Sequence, residues 1–596
     1  MLKLPYGLAD FPVLIRDGFE YVDRTMHIRE VEELGRSLLF IRPRRFGKSL
    51  WLRTLAAYYD LRTANEHDEL FGTLAVGRDP TPDAHRYFVL SWDFSAVSPR
   101  GPVDEVARSL NDYVNTTLRI FLGDYRDHLP RVPIRDDATN TLLEVLAAVR
   151  QAGRSLYLLI DEYDNFANEV MVRDEGTYSG LVHGDGPFKE LMKTVKAATQ
   201  GQGLERLFVT GVSPVVMSDL SSGMNILTDV YQEPELNALC GFRAEEVVGL
   251  LERIRAEGGR DGATPEWSVD EVHRTIRDWY DGYRFSPLAE EKVYNPMMVL
   301  YFLRHLQRHG QSPRQLLDAN LAADEDKLRF VGEIVSGQQT FLDLLQGEKP
   351  VEIPQLAGRF KLSDVVERSS DQTFLASFLT FFGMLTIEGE SPGGALRLTP
   401  PNLVVRKLYA EQVKRFLLPR GDDRTAAWPP AQEATESGEI TSLLTFVEEK
   451  IFPAMSNRDY RWMDEHALKM AFLALLFNDV THLVVSEPEI GRGYADLCLL
   501  RRFDRRLAAL YDLVFEFKYV PLGELGATGE KLRDMDRGEL EDHPAVRRRL
   551  DEAEAQLRRY RKALEKRHTG LRLRLYAVVS LGFERLVARE LASATR

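Results

Sequence analysis

Across its first 240 residues the chain alternates two hydrophobic patterns. Short, mainly apolar runs at 37–41, 87–92, 156–160 and 207–210 predict strands buried on both faces. Between them, at 50–59, 103–122, 141–149 and 188–199, apolar residues recur every three or four positions, as in crossover helices that join parallel strands. The alternation predicts a three-layer α/β domain over 1–240. From 241 to 310 the pattern turns mainly helical and carries an aromatic-rich turn from Trp279 to Phe285, which suits a helical lid. Residues 311–437 read as a helical connecting region, with periodicity around 374–382 and a linker at 421–438 that is rich in Pro, Thr, Ala and charge. Residues 438–596 read as helix, strand, strand, long charged helix and strand, a second α/β domain.

A chain of 596 residues needs several cores, and 44% hydrophobic with 28% charged residues is a globular composition. With 77 basic and 91 acidic residues the net charge is −14, which argues against coating nucleic acid through bulk positive charge. The local exception is 547–574, where eleven Lys and Arg face four acids, with Tyr560 and Tyr576 interleaved. Such a stretch either tracks a phosphate backbone or is a solvated helix face with i,i+4 ion pairs. The apolar run 471–477 falls far short of the roughly 18 residues that a bilayer span needs, so no membrane partner is expected. The start of the chain lacks the apolar core of a secretory signal, and the expected location is cytoplasmic. Cys240 and Cys498 are too few for a disulfide framework or a cysteine zinc cage and read as core thiols.

The strand ending at Ile41 is followed by Arg42, Pro43, Arg44, Arg45, Phe46, Gly47, Lys48 and Ser49, with a helix from Leu50. This is the order of a P-loop, in which N–H groups at a helix start point at phosphates. Lys48 would reach the β and γ oxygens of ATP and Ser49 would bind Mg²⁺, with Arg44, Arg45, Phe46, Gly47 and Leu50 completing the loop. The usual pattern has glycine where this chain has Arg42. The run from Leu156 to Ile160 ends in Asp161 and Glu162, a pair suited to holding Mg²⁺ through Asp161 and orienting the attacking water through Glu162. Thr210, at the end of another strand, either contacts the γ-phosphate or caps structure. Arg44 and Arg45 either neutralise charge developing in transfer or hold the loop shape through carboxylates.

Near the other end, Asp496 is the single acid of the run 494–500, and 513–520 alternates Val514, Glu516 and Lys518 with Phe515, Phe517 and Tyr519. Period two puts Glu516 and Lys518 on one face. Charged groups inside such apolar strands are costly unless something compensates them. Asp496, Glu516 and the Phe517 carbonyl would offer hard oxygen ligands to Mg²⁺ or Mn²⁺, and Lys518 would orient the attacking water or stabilise the transition state of phosphodiester hydrolysis. The plainer alternative is an amphipathic hairpin with both charges in water. Glu465, Glu487, Gly491 and Gly493 supply supporting context, as do Gln556 and Tyr560, four apart on a later helix.

Together these motifs resemble a bacterial family of AAA-ATPase-like proteins that carry a C-terminal PD-(D/E)XK nuclease domain. The resemblance is carried by YVDRT at 21–25, RPRRFGKS at 42–49, IDEYD at 160–164, TGVS at 210–213, DGYRF at 281–285 with YNP at 294–296, GYAD at 493–496 and FEFK at 515–518. It covers residues 5 to about 310 and 440–590, and there the arginine-rich loop looks like a normal form of the P-loop. It implies a P-loop NTPase sheet over 1–240, a lid over 241–310, a connecting region over 311–437 and a restriction-endonuclease-like α/β domain over 438–596. The long charged insertion 521–544 before Gln556 departs from the family pattern.

The expected function is therefore an ATP-binding and ATP-hydrolysing protein with a metal-dependent nuclease domain, its nucleotide state regulating access or cutting. The expected partners are ATP and nucleic acid, DNA first, with assembly into a homo-oligomer left open. A second reading is an ATP-driven switch or scaffold whose nuclease-like domain binds a partner or nucleic acid without chemistry. A third is a nucleic-acid-binding regulator working through 547–574 alone.

Overall fold

The computed structural model describes all residues except 221–223, 259–266, 318–349, 359–370, 457–464, 479–480, 487–488, 491–492, 503–508, 568–569 and 592–596. It divides into two compact units. The first holds Met1–Gly310 and Pro350–Pro401; the second holds Asn402–Arg596, together with the described residues 311–317.

In the first unit five strands form one parallel sheet: β1 (Ser37–Ile41), β2 (Phe88–Asp93), β3 (Leu156–Asp161), β4 (Leu204–Gly211) and the two-residue β5 (Thr228–Asp229). The spatial order is β2-β3-β4-β1-β5, so β4 lies between β1 and β3. All six residues of β3 are buried, as helices on both faces demand. The crossover helices are Lys48–Tyr59, Val103–Asp124, Ala138–Gln151 and Pro187–Ala198. Because every strand is parallel, the loops after β1, β3 and β4 emerge at one edge, where open α/β sheets place their ligands.

The helical expectation for 241–310 is met by Ala244–Glu257, Val269–Tyr280 and Pro296–His309. Ser268 and Glu271 form a capping box on the second, and Asn295 caps the third ahead of Pro296. The connecting region is not purely helical. Besides the helix Gln372–Phe381 it contains an antiparallel sheet of β6 (Val351–Ile353), β7 (Thr386–Glu390) and β8 (Leu396–Thr399), ordered β6-β8-β7. Strands of three to five residues are too short to print a period of two. The expected linker is likewise folded, as the helices Gly421–Ala426 and Trp428–Glu436. Pro429 and Pro430, which read as loop punctuation, sit in the first turn of the second helix, where a missing N–H costs nothing.

The second unit is built on β9 (His482–Ser486), β12 (Leu497–Arg501), β13 (Asp512–Val520), β14 (Leu573–Leu581) and β15 (Arg585–Glu590), in the order β15-β14-β13-β12-β9. A small hairpin of β10 (Glu489–Ile490) and β11 (Gly493–Tyr494) precedes β12. Only β13 and β14 pair in parallel, and the helix Pro544–Arg567 is the crossover between them. Val546, Leu550, Ala553, Leu557, Tyr560 and Leu564, at alternating spacings of three and four, form the buried stripe of that helix. The insertion 521–544 carries three short helices whose Leu525, Leu532 and Leu540 join the same core.

Candidate functional site

The loop after β1 turns through two left-handed residues, Arg45 at φ 68° and Gly47 at φ 97°, and enters its helix at Lys48. The Lys48 ammonium is buried and donates to the carbonyls of Arg42 and Pro43, both at 3.0 Å. Burial pulls its pKa below the usual lysine value, against the charges of Asp161 and Glu162. Ser49 and Asp161 line a common cavity, and burial raises the Asp161 carboxyl above the usual range while Ser49 and Lys48 act the other way. Glu162, at φ 45°, is also raised by burial, with Lys48 and Arg44 acting the other way. The register pairs Phe40 with Thr210 and Ile160 with Val209, which sets Thr210 between the phosphate loop and the carboxylate pair. The Thr210 hydroxyl is fully buried and has no hydrogen-bond partner among the described residues.

Arg42, at the position where the common motif has glycine, turns away from the loop. Its guanidinium is buried, donates to the carbonyls of Ile41, Tyr231 and Leu236 at 2.7–2.8 Å, and lies between the rings of Phe40 and Phe285 at 4.4 and 4.1 Å. Burial pushes its pKa down to about 9. Phe46 also faces the core, edge-on to Tyr283 and Phe285 at 4.9 and 5.3 Å. Arg44 donates to the Asn165 side-chain oxygen at 2.8 Å. Arg284 is engaged elsewhere, donating to the Glu388 carbonyl.

Lys48, Ser49, Leu50, Arg45, Gly47 and Glu162 line one cleft of about 230 Å³. Its opposite walls come from Pro5, Gly7 to Ala9, Tyr21, Leu239 to Phe242, and Met297 with Leu300 of the helix Pro296–His309. Arg24 ties these walls together, with two hydrogen bonds of 2.7 Å to Glu246 and two of 2.8 Å to the carbonyls of Ala238 and Gly241. Asp164, itself buried, accepts from the N–H groups of Val212 and Ser213 and so clamps the segment after β4. A Cβ on Gly211 would come within 2.5 Å of both the Asp164 carboxylate and the Tyr163 ring.

In the second unit Glu516 is 2% exposed on β13. Lys518, on the same face, donates to Glu516 and Glu465 at 3.1 Å and to the Phe517 carbonyl at 2.7 Å. The Phe517 N–H donates to Asp496 at 2.7 Å, so Asp496 lies against the strand that bears Glu516. On the other face Phe515 and Phe517 pack on Phe472. Burial, then the Asp496 charge, pushes Glu516 up to about 7. Burial lowers the Lys518 pKa, but the charges of Glu516, Glu465 and Asp496 outweigh it and hold the group above the usual value. One Glu516 oxygen, Oε2, is buried without a partner among the described residues. In those same residues no group of three or more His, Cys, Asp and Glu side chains is arranged to hold a metal. Glu487 and Gly491 lie outside the described residues; Gly493 is in β11.

Residues 5–221 match a family model described as a predicted AAA-ATPase. Over that stretch, which spans the parallel sheet up to the end of β4, the chain is similar to the AAA-ATPase-like family. A protein from Azotobacter chroococcum mcd 1, named only as an uncharacterized protein in the vnfD 5′ region, is 27% identical over 448 residues, 74% of each chain. Among solved structures, the Aeropyrum pernix ORC2 protein with ADPNP and ADP aligns over 65% of this chain and 92% of its own at 13% identity and a TM-score of 0.26. Cdc6p of Pyrobaculum aerophilum aligns over 66% and 94% at 12% identity and a TM-score of 0.25. No described helix is long and apolar enough to cross a membrane.

In the first unit the structure brings the expected loop, carboxylate pair and Thr210 to one edge of the sheet, and it adds a second cleft wall that the sequence reading did not include. Pro5 to Ala9 and Tyr21 carry no chemical pattern of their own; the YVDRT segment was the one available signal. Asp164 was part of a motif without a role, because its partners are backbone N–H groups 48 and 49 residues away. In the second unit, Tyr560 is buried and feels the charges of Glu516 and Asp496, while the Gln556 side-chain oxygen is buried without a partner among the described residues.

Proposed function

We propose that the chain binds and hydrolyses Mg²⁺·ATP in the cleft of its AAA-ATPase-like domain, and that its second unit hydrolyses nucleic-acid phosphodiesters, DNA first, under control of the nucleotide state. The observation that carries the first half is that Ser49 and the buried Asp161 line one cavity at the sheet edge, with the buried Lys48 ammonium close enough for its charge and that of Asp161 to act on each other. A hydroxyl and a carboxylate meeting next to a lysine at the edge of a parallel sheet are the donor set for a magnesium triphosphate. On this reading Lys48 exchanges two loop carbonyls for phosphate oxygens. Glu162 orients the attacking water and takes its proton, and the unpartnered Thr210 hydroxyl donates to the γ-phosphate. Bound Mg²⁺, held by Ser49 and Asp161, would neutralise charge on the β and γ oxygens.

For the second half, the orphaned Glu516 oxygen is what a hard cation would satisfy, together with Asp496 and the Phe517 carbonyl. Bound Mg²⁺ or Mn²⁺ would stabilise charge on the scissile phosphate. Lys518, released from Glu516 and Phe517, would then be free to pair with the phosphate or position the water.

A second reading is an ATP-driven switch whose nuclease-like unit binds a partner or nucleic acid without cutting. It is favoured by the ammonium of Lys518, which neutralises the carboxylates a metal would need. Cleavage of single- and double-stranded DNA and RNA, with Mg²⁺ or Mn²⁺ and with or without ATP, separates the two. The nuclease reading expects Glu516→Ala to abolish cutting while nucleotide affinity is kept, and Lys48→Ala to remove the ATP dependence. Wild-type protein that turns over ATP and cuts none of these substrates would leave the switch.

A further inference from the structure

The geometry points to Asn165 as a positioning residue: it fixes Arg44 beside Glu162, so that a cation supplied by the chain itself faces the phosphoryl group being transferred. The inference rests on the ATPase reading above and adds to it the source of the positive charge. Arg44 and Arg45 are neighbours in the phosphate loop but are placed differently. Arg45 lines the nucleotide cleft, whereas Arg44 is half-buried and turned to Asn165, its guanidinium donating to Oδ1 at 2.8 Å. Asn165 is itself held, its N–H donating to the Glu162 carbonyl at 3.0 Å. The amide acceptor is therefore tied to the residue that would orient the water, and the Arg44 charge is felt at Glu162.

The chemistry of the partner matters. A guanidinium that only braces a loop is commonly paired with a carboxylate, as Arg24 is with Glu246. A neutral amide orients the group without cancelling its charge, leaving that charge for phosphate oxygens. The lid arginine, Arg284, is occupied by the Glu388 carbonyl, and Arg42 by three carbonyls in the core.

The test is steady-state ATP hydrolysis by the full chain in saturating Mg²⁺, comparing wild type, Asn165→Ala, Arg44→Ala and the double variant. Asn165→Ala should lower kcat roughly tenfold with KM within about twofold, and Arg44→Ala should lower kcat roughly a hundredfold. The double variant should be no slower than Arg44→Ala within about twofold, because the asparagine acts through the arginine. Asn165→Asp, which keeps the acceptor oxygen but cancels the Arg44 charge with a carboxylate, should lower kcat at least as far as Asn165→Ala, and a wild-type kcat in that variant would also overturn the inference. A double variant that shows the product of the two single losses, or Asn165→Ala with wild-type kcat, overturns the inference. So does loss of ADP binding in Asn165→Ala, since positioning alone leaves the ground state bound. Wild-type protein without ATP turnover would overturn the ATPase reading as well, a result distinct from an active enzyme with an additive cycle.

Discussion

Arg42 and Glu516 are both buried charges, but their surroundings differ in kind. Arg42 has every reason to stay: three carbonyls accept from it and two aromatic rings sandwich it. Its backbone is not in the left-handed region, so nothing at this position demands glycine. Arg42→Gly, which restores the common motif, should therefore destabilise the first unit by about 3 kcal/mol through a cavity and unpaired carbonyls, and should not tighten ATP binding. Denaturant unfolding and an ATP titration check both parts; a tighter-binding variant of unchanged stability would refute the assignment. Glu516, by contrast, is held above its ordinary value by burial and by Asp496. A carboxyl raised in the folded state favours folding below its unfolded value and loses that contribution as pH rises through about 7. Without divalent ions, the second unit should thus be less stable at pH 8 than at pH 5.5, and Glu516→Gln should flatten that part of the profile. With Mn²⁺ present, affinity should fall as pH drops below about 7, because the cation binds the carboxylate. A metal affinity that does not change between pH 5.5 and 8 would contradict this.

At the scale of elements, legibility followed the length of the pattern. β1 and the crossover helices were readable because four consecutive apolar residues, or several turns of regular spacing, stand between clear breaks. The two residues of β5 and the short strands β6 to β8 offer no period to read, and the helices from Gly421 to Glu436 were hidden by two prolines at a helix start. Which groups meet at the sheet edge could be inferred once parallel strands were expected; what pins them could not, since Asp164 and Gly211 meet only through folding. Gly211→Ala should force the Asp164 clamp off the β4 loop and cost about 1–3 kcal/mol, with weaker nucleotide binding. Thermal denaturation with and without ADP measures both effects; a neutral substitution would show the clamp to be loose. The basic stretch was legible only as composition. In the structure Arg547, Arg548, Arg549 and Arg558 face Asp542, Glu524, Glu552 and Glu554. Nucleic-acid affinity should accordingly show a reduced salt slope, on the order of seven counterions at most rather than eleven.

At the scale of the whole molecule, two units with separate cores predict that unfolding is not a single all-or-none step. A nucleotide at about a hundred times its Kd should raise only the transition of the first unit, by roughly 2.7 kcal/mol, and Lys48→Ala should erase that rise. Calorimetry resolves this, and one concerted transition that moves as a whole with ADP would show that the units fold as one. Arg42 also bears on how chains of this kind are recognised. The segments bearing Tyr231, Leu236 and Phe285 supply two of its acceptors and one of its rings, so the arginine depends on a distant stretch of sequence and is not a self-contained letter of a loop motif. Searches keyed to the first glycine will pass over such chains, and transplanting the arginine alone into an ordinary phosphate loop would strand it in a core that has no oxygens waiting for it.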